Sequence, residues 1–528
     1  MRFARRGSRW QNLISAGTLW LLRDEFTTDL AAGSVNGTAA EPGPGTRTVT
    51  DTNGKVTLAG GAASFATGGS AAGDPGLWYD AVTRTAGRPL IVQITPADTN
   101  GLVYLGLDSA QEGLILDGIV LGASGVLQAR PNGTTLINVG SYTATTYLVA
   151  YITRTNGNFL FIKGGAFTNW TLVWFSPNAA SAAYPGVAVG NTTTIFTAGF
   201  IRVPAALWLP TPLISDGFAS AFGTSDGLGH AEGIAGGLGA GGDGVTWTGA
   251  TWSVSGGKAI NTPVTLGADA IVNGTFTGDT DWTKGENWAI TTVATATAAT
   301  SDLTAEVAPL TRNLWYKTAV TVGSFAGGTV QLVVGSRANP KHNADGTFIE
   351  TQRASVESFK IAAANFTGTV DDVSAKPLTF AELISSVVLS TANVVADVAL
   401  VITSGYQAGL CLNLDSAASP ANFVLAYHDR TSAYLAKCVA GTYTTLIQIA
   451  ATYSAGARLI VTKDDTKYRL YYNNVLIGTE QTISDAGIIS NTRHGLFSTD
   501  ASNTLDDFLV YARGNGGEYS ALDTWSFD

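Results

Sequence analysis

Val103-Tyr-Leu-Gly-Leu-Asp-Ser-Ala110 and Leu410-Cys-Leu-Asn-Leu-Asp-Ser-Ala417 are identical at five of eight positions, Leu-Asp-Ser-Ala among them. Similarity spreads outward from this anchor in both directions. Leu90-Ile-Val-Gln-Ile-Thr95 parallels Ala399-Leu-Val-Ile-Thr403, Phe159-Leu-Phe-Ile parallels Tyr468-Arg-Leu-Tyr, and Phe200-Ile-Arg-Val parallels Phe508-Leu-Val-Tyr. The spacing is kept: Asp108 to Phe200 is 92 residues and Asp415 to Phe508 is 93. Chance likeness between β-rich stretches does not hold register over such a length, so the chain carries an internal repeat.

The front of the unit repeats as well, Asp24-Glu-Phe26 with Asp216-Gly-Phe218 and Leu58-Ala-Gly-Gly-Ala62 with Val254-Ser-Gly-Gly-Lys258. Here the spacing breaks. Gly60 to Asp108 is 48 residues, whereas Gly256 to Asp415 is 159, an excess of 111. That excess is the size of a small domain, placed in a connection where insertions are tolerated. The expected organisation is therefore a segment 1–23, a first sandwich 24–205, a linker 206–213, and a second sandwich split into 214–267 and 381–514. An inserted domain occupies 268–380, and 515–528 forms a tail.

Composition points to strands. Charged residues are 13% of the chain, about half the usual share, and there are 62 Gly. A surface so poor in Lys and Glu favours strands and turns over amphipathic helices. Alternation agrees: Leu410, Leu412 and Leu414 fall on one face, with Cys411 and Asn413 on the other. Arg458 to Tyr472 reads as a hairpin through Asp464-Asp465-Thr466, and Asn156-Gly157 is a hairpin turn in the first copy. The expected fold class is all-β, with three β-sandwiches.

With those marks in place, the repeat resembles concanavalin A-like (laminin-G-like) jelly rolls, on its opening Asp-x-Phe and its closing Phe-Leu-Val-Tyr strand. The insert resembles a carbohydrate-binding-module jelly roll of the family 4/9 style. That likeness rests on Asn273-Gly-Thr-Phe276, Trp282, Trp288 and the closing Val370-Asp-Asp-Val-Ser374. The whole arrangement resembles virion proteins of tailed phages. This resemblance implies a tail-fibre, spike or decoration protein of a symmetric, homo-oligomeric assembly located on the virion.

The ends and the charge balance refine the expected partners. The basic start carries Arg2, Arg5, Arg6 and Arg9, and the apolar run after it includes Trp10, Leu19 and Trp20. It looks like the start of a signal peptide but has no small-x-small cleavage site. The expectation is an uncleaved segment docking on other virion proteins through these seven residues. No run is long enough for a membrane span. A net charge of −10 argues against a nucleic-acid groove.

Catalytic signatures are missing. There is no Gly-x-Ser-x-Gly elbow and no Glu-x-Asp-x-x-Glu, and no carboxylate pair of the kind glycosidases need recurs in both copies. Gly237 to Gly242 matches Gly-x-Gly-x-x-Gly inside a glycine-rich loop, without a following helix pattern. His230, His342, His428 and His494 have no metal-ligand spacing. The expectation is no enzyme and no cofactor.

Aromatic residues are the candidates for ligand contact: Trp282, Trp288, Trp315 and Tyr316, either as sandwich core or as faces on which sugars stack. Trp78-Tyr79 is ambiguous in the same way. Asp108 and Asp415 recur just after a strand, as turn caps or as Ca²⁺ ligands. Cys411 and Cys438 lie in consecutive expected strands, either as neighbours able to pair or, on the blander reading, as two buried free thiols. Sequons such as Asn273 and Asn365 read as turns. The function expected is presentation of sandwich modules on a phage particle for decoration or host-glycan attachment. The rivals are a bacterial cell-surface or secreted carbohydrate-binding protein and a polysaccharide-cleaving enzyme.

Overall fold

The computed structural model describes residues 20–66, 74–111, 117–131, 136–154, 157–176, 183–190, 195–210, 212–216, 218, 246–265, 267–307, 309–514, 519 and 522–526. The fold is all-β, with antiparallel sheets throughout. Among the described residues the two α-helices, Ala486–Ile489 and Asp523–Ser526, are four residues each. No helix there is long and apolar enough to cross a membrane. The chain forms two compact units, one of residues 1–211 with 512–528 and one of residues 212–511.

In the first unit one sheet runs Phe167–Ser176, Gly157–Gly164, Tyr147–Arg154, Pro89–Pro96, Phe196–Pro204, Ala62–Phe65, Val56–Ala59, with Trp20–Asp24 also on Phe196–Pro204. Its partner sheet runs Ile137–Ser141, Val126–Arg130, Asp117–Gly122, Val103–Asp108, Tyr184–Val189, Gly76–Trp78, Thr48–Thr50. The second unit holds a sandwich of matching order. One sheet runs Val475–Thr482, Lys467–Tyr472, Ala457–Asp464, Val394–Val401, Thr504–Ala512, Lys258–Asn261, Trp252–Ser255, with Ile214–Asp216 on Thr504–Ala512. The other runs Thr442–Ala450, Ser432–Val439, Phe423–His428, Ala408–Leu414, Arg493–Ser498, Ile384–Val388.

In the first sandwich Ala62–Phe65 is followed by Gly76–Trp78. In the second, the strands at that point are Lys258–Asn261 and Ile384–Val388, and a separate eight-stranded sheet lies between them in sequence. Two 20-residue strands, Trp315–Val334 and Phe359–Leu378, organise that sheet. Their pairing shifts register near Val320, Ser324 and Gly328, where bulges let the strands bend around a core containing Phe276, Leu332 and Phe366.

The Asp-x-Phe opening has a physical job in both sandwiches. Asp24 Oδ1 accepts the Phe26 amide at 3.1 Å, and Asp216 Oδ1 accepts the Phe218 amide at 2.8 Å. This local bond supports a left-handed backbone at Phe26 (φ 55°) and Phe218 (φ 52°), a conformation unusual for a bulky residue. Each Phe ring is then buried. The copies satisfy the rest of the carboxylate differently. Asp24 takes Arg47 Nε and Nη2, both at 2.6 Å, and the Tyr79 hydroxyl at 2.8 Å. Asp216 takes Trp247 Nε1 at 3.0 Å.

The described residues near the C-terminus pack on the first unit. The Leu172 amide donates to the Arg513 carbonyl at 3.1 Å, on the outermost strand of the first sheet. Trp170 Nε1 and Lys163 Nζ both reach Asp523, and the Tyr519 ring packs edge-on against Phe161. An edge strand covered in this way is no longer open to pairing with another chain.

Two measurements probe this fold. Asp24 and Arg47 are both fully buried, so Asp24→Ala leaves an unpaired guanidinium inside the sandwich. It is expected to lower unfolding free energy by about 3–5 kcal/mol, read by urea denaturation. Lys463 is buried against Asn393 Oδ1 (2.8 Å) and the Ile489 carbonyl (3.0 Å), and burial pushes its pKa from 10.5 down to about 8. Between those values the unfolded chain binds more protons than the folded one, so this group's contribution to stability rises with pH across the window. Wild type is therefore expected to gain stability relative to Lys463→Met from pH 8 to pH 10.5. Parallel denaturation curves check this, and a difference that stays flat or falls contradicts it.

Candidate functional site

The site is built on one sheet of the second sandwich, the one containing Ala408–Leu414, Phe423–His428 and Ser432–Val439. Period-2 alternation gives this sheet two apolar faces. Leu410, Leu412, Val424, Ala426 and Leu435 join the core shared with the opposite sheet. Cys411, Phe423, Leu425, Tyr427, Tyr434, Cys438 and Phe497 point the other way and form a second cluster together with Trp315 and Leu378 of the insert. A sheet with two apolar faces must be covered on both. The insert covers the outer one.

Trp315 is the central contact. It is 1% exposed, and its ring lies 5.2 Å from Phe497 and 6.2 Å from Tyr427. Its Nε1 donates to the Tyr443 hydroxyl at 3.3 Å. Arg337 donates to the Tyr427 hydroxyl (3.4 Å) and to Thr445 Oγ1 (3.3 Å), and its guanidinium sits 5.6 Å from the Tyr434 ring centre. Arg353 lies 4.3 Å from the Tyr443 ring centre. The edges are tied by Gln407 Nε2 to the Thr351 carbonyl (2.8 Å) and by Lys317 to Asp500 (3.7 Å). Burial raises the pKa values of Tyr427, Tyr434 and Tyr443, so these phenols stay protonated and can donate.

A cleft of about 340 Å³ opens at one margin of this contact. Its walls include Trp315, Phe380, Phe423 and Tyr443, and its rim includes Asn313 and Ser419. Phe380 stacks on Phe423 at 4.2 Å with the planes 4° apart, and Tyr443 meets both rings edge-on at 6.2 and 5.6 Å. Phe423 is buried, while Phe380 and Tyr443 are only half-buried. Asn313 Oδ1 accepts from Arg353 Nη1 at 3.3 Å, which leaves the Asn313 amide hydrogens and the Tyr443 hydroxyl proton available. A concave, mostly apolar site of this volume with a few donors at its edge, lying between domains, has the usual build of a small-ligand pocket. Among the described residues no Asp, Glu or His lines it.

The sequence candidates fall in different places. Trp282 and Trp288 are core residues of the insert, 3% and 7% exposed. Their indole nitrogens are satisfied by the carbonyls of Asn273 (3.1 Å) and Ser301 (2.8 Å). Tyr316 is 2% exposed in the same core, and its hydroxyl accepts the Thr311 amide. None of the three presents an open face, because an insert of this size needs its large aromatics as filling. Trp315 alone of the four reaches the cleft, as its wall. Trp20 is half-buried, with the Arg23 and Arg202 guanidinium groups 5.3 and 5.9 Å from its ring centre. Arg2, Arg5, Arg6, Arg9, Trp10 and Leu19 lie outside the described residues, as do His230, Asn156 and the glycine-rich 223–244 loop.

Asp415 caps a turn, accepting the amides of Ala421 and Asn422, both at 3.0 Å. Asp108 accepts the Ser109 amide at 2.6 Å, and burial raises its pKa. No group of three or more His, Cys, Asp or Glu side chains is placed to hold a metal among the described residues. Cys411 and Cys438 are free thiols and are not on neighbouring strands, because Phe423–His428 runs between theirs. Burial pushes Cys438 up to about 12. Phe380, Phe423, Tyr443 and Asn313 were not signalled by sequence. Their spacing follows no motif, and they meet only because the insert folds back onto the sheet.

No protein-family model matches the chain, and no curated protein matches it. Solved structures resemble parts of it. The carbohydrate-binding module CBM66 from Bacillus subtilis is 16% identical over 25% of this chain and 83% of its own, with a TM-score of 0.22. A structure described under endo-acting O-glycanases that human gut microbiota express to initiate mucin breakdown is 12% identical over 35% and 99%, with a TM-score of 0.25. An immunostimulatory antigen and pseudo beta-1,3-glucanase of Mycobacterium tuberculosis is 13% identical over 36% and 99%, with a TM-score of 0.24.

Trp315→Ala removes the central contact between insert and sheet. The expected cost is about 3–5 kcal/mol of unfolding free energy. It should appear as a lower thermal midpoint together with faster proteolysis at the ends of 268–380. A variant as stable and protease-resistant as wild type would show that the contact does not hold the insert in place.

Proposed function

We propose that this protein is a non-catalytic carbohydrate-binding protein of a particle or cell surface, and that the cleft beside Trp315 receives a sugar. The observation that carries this reading is the pair of half-buried rings, Phe380 and Tyr443, beside uncommitted donors on Tyr443 and Asn313. Sugar rings offer C–H faces to aromatics and hydroxyls to donors, and this wall offers both partners. The lining supports binding over cleavage. Glycoside hydrolysis generally needs two carboxylates astride the bond, about 5 Å or about 6.5–9.5 Å apart, and none of the described residues lining the cleft is one.

The setting has two versions. As a secreted or cell-surface protein, the chain needs only the cleft. As a phage virion component, it also needs its first 23 residues to dock on a partner. That version draws its support from the composition and from the basic and apolar start of the chain. Peptides of this chain in many copies per purified particle would support the virion setting. Its presence only in secreted or envelope fractions would support the other.

The binding test is a glycan array followed by titration calorimetry. Phe380→Ala and Tyr443→Ala are each expected to weaken the retained glycan about ten-fold, or about 1.4 kcal/mol. No new reducing ends should appear on incubation with polysaccharide. Retention unchanged in both variants would move binding away from the cleft, and reducing-end release would overturn the non-catalytic reading.

A further inference from the structure

Arg353 and Arg337 hold their guanidinium groups against neutral partners. Arg353 is 5% exposed, yet its side-chain partners are neutral: the Asn313 amide oxygen and the face of Tyr443. Arg337 has the Tyr427 hydroxyl, Thr445 Oγ1 and the face of Tyr434. Among the described residues neither guanidinium has a carboxylate within ion-pair distance, although the chain has 40 Asp and Glu against 30 Lys and Arg. Burial and the charge of Arg337 both lower the pKa of Arg353, so its environment disfavours its charge.

Arg47 and Arg458 provide the contrast. Arg47 has Asp24 at 2.6 Å, and Arg458 has Asp397 at 2.7 Å. Leaving a charge buried without a counter-charge is costly. Aromatic faces compensate in part. If holding the insert were the only task, a neutral or apolar side chain would serve at lower cost.

Arg353 stands directly behind the cleft wall rather than in its lining, and its contacts supply the other task. It spans two residues of the cleft, Tyr443 by its ring and Asn313 by its amide oxygen. A planar guanidinium fork matches a planar carboxylate in two parallel hydrogen bonds. Resting on the sugar-binding reading above, we infer that the cleft selects acidic sugars. A uronic acid ring lies against Phe380 and Tyr443, and its carboxylate takes the place of the missing counter-charge at Arg353. Asn313 is the exchangeable partner, because its oxygen is the side-chain acceptor that Arg353 has here. Arg337 adds positive potential from behind Tyr427 and Tyr434.

The test uses the full chain and a matched pair of probes, oligogalacturonate and the same oligosaccharide with its carboxyl groups reduced to the neutral sugar. Calorimetry is run at low and high salt. The expected result is binding of the acidic probe about ten-fold or more tighter than the neutral one. That preference should shrink as salt rises. Arg353→Gln should bring the ratio of acidic-probe to neutral-probe affinity down to about one. Arg353→Lys, which keeps the charge without the fork, should fall between.

Equal binding of the two probes by wild type overturns the acidic selection and leaves the sugar-binding reading standing. Binding of neither probe, with neutral glycans retained on the array, does the same. Retention of no glycan at all overturns both readings. Because the wild-type comparison and its salt dependence need no substitution, a failure of Arg353→Gln to fold leaves the inference fully tested.

Discussion

A single sheet with two apolar faces governs the second half of this molecule. Alternate residues of Ala408–Leu414, Phe423–His428 and Ser432–Val439 serve the sandwich core, and the residues between them are just as apolar. Left open, Phe423, Tyr427, Tyr434 and Phe497 would form a large exposed aromatic patch, which soluble chains seldom carry without a partner. Here the partner is in the same chain. The insert closes the face with Trp315 and Leu378, and its two arginines meet the tyrosine rings. In the first sandwich the corresponding sheet has no inserted domain, and a small cluster of Trp78, Tyr104, Val120 and Ala188 is packed there.

The cleft is a consequence of that closure. Two curved surfaces of different origin meet along the sheet but not at its margin, where Phe380 leaves the last long strand of the insert and stacks on Phe423. The gap is bounded by rings because both surfaces are aromatic at that point. Its donors come from groups whose other ends hold the contact together: Tyr443 through Trp315, and Asn313 through Arg353. Binding and domain docking therefore share the same atoms. A ligand that engages Arg353 would also tighten the contact between insert and sandwich, by the general linkage between binding and stability.

The two sandwiches share most of their strand order and differ in detail. The Asp-x-Phe turn is common to both, since it sets a left-handed residue that buries a ring at the start of the fold. What surrounds the aspartate is not shared, an Arg–Tyr pair in one and a Trp in the other. Local backbone geometry constrains the sequence tightly, whereas a buried carboxylate accepts any set of donors that satisfies it.

Much was legible from sequence. The all-β class follows from alternation, glycine content and the scarcity of charge, and the duplication follows from register kept over about ninety residues. The spacing excess located extra chain at the connection where the structure has another sheet. These are properties of single strands and of distances along the chain, and periodicity records them directly. Face assignment was beyond its reach. Trp282, Trp288, Trp315 and Tyr316 look alike in sequence, yet three of them fill one core and the fourth closes a contact between domains. The grouping of Phe380, Tyr443, Asn313 and Arg353 was equally invisible, because those residues belong to different parts of the fold and are up to 130 positions apart. Sequence by itself determined the strands, their repetition and the extra length. Only tertiary structure decided which apolar face covers which, since that depends on how two surfaces fit and not on the pattern of either one.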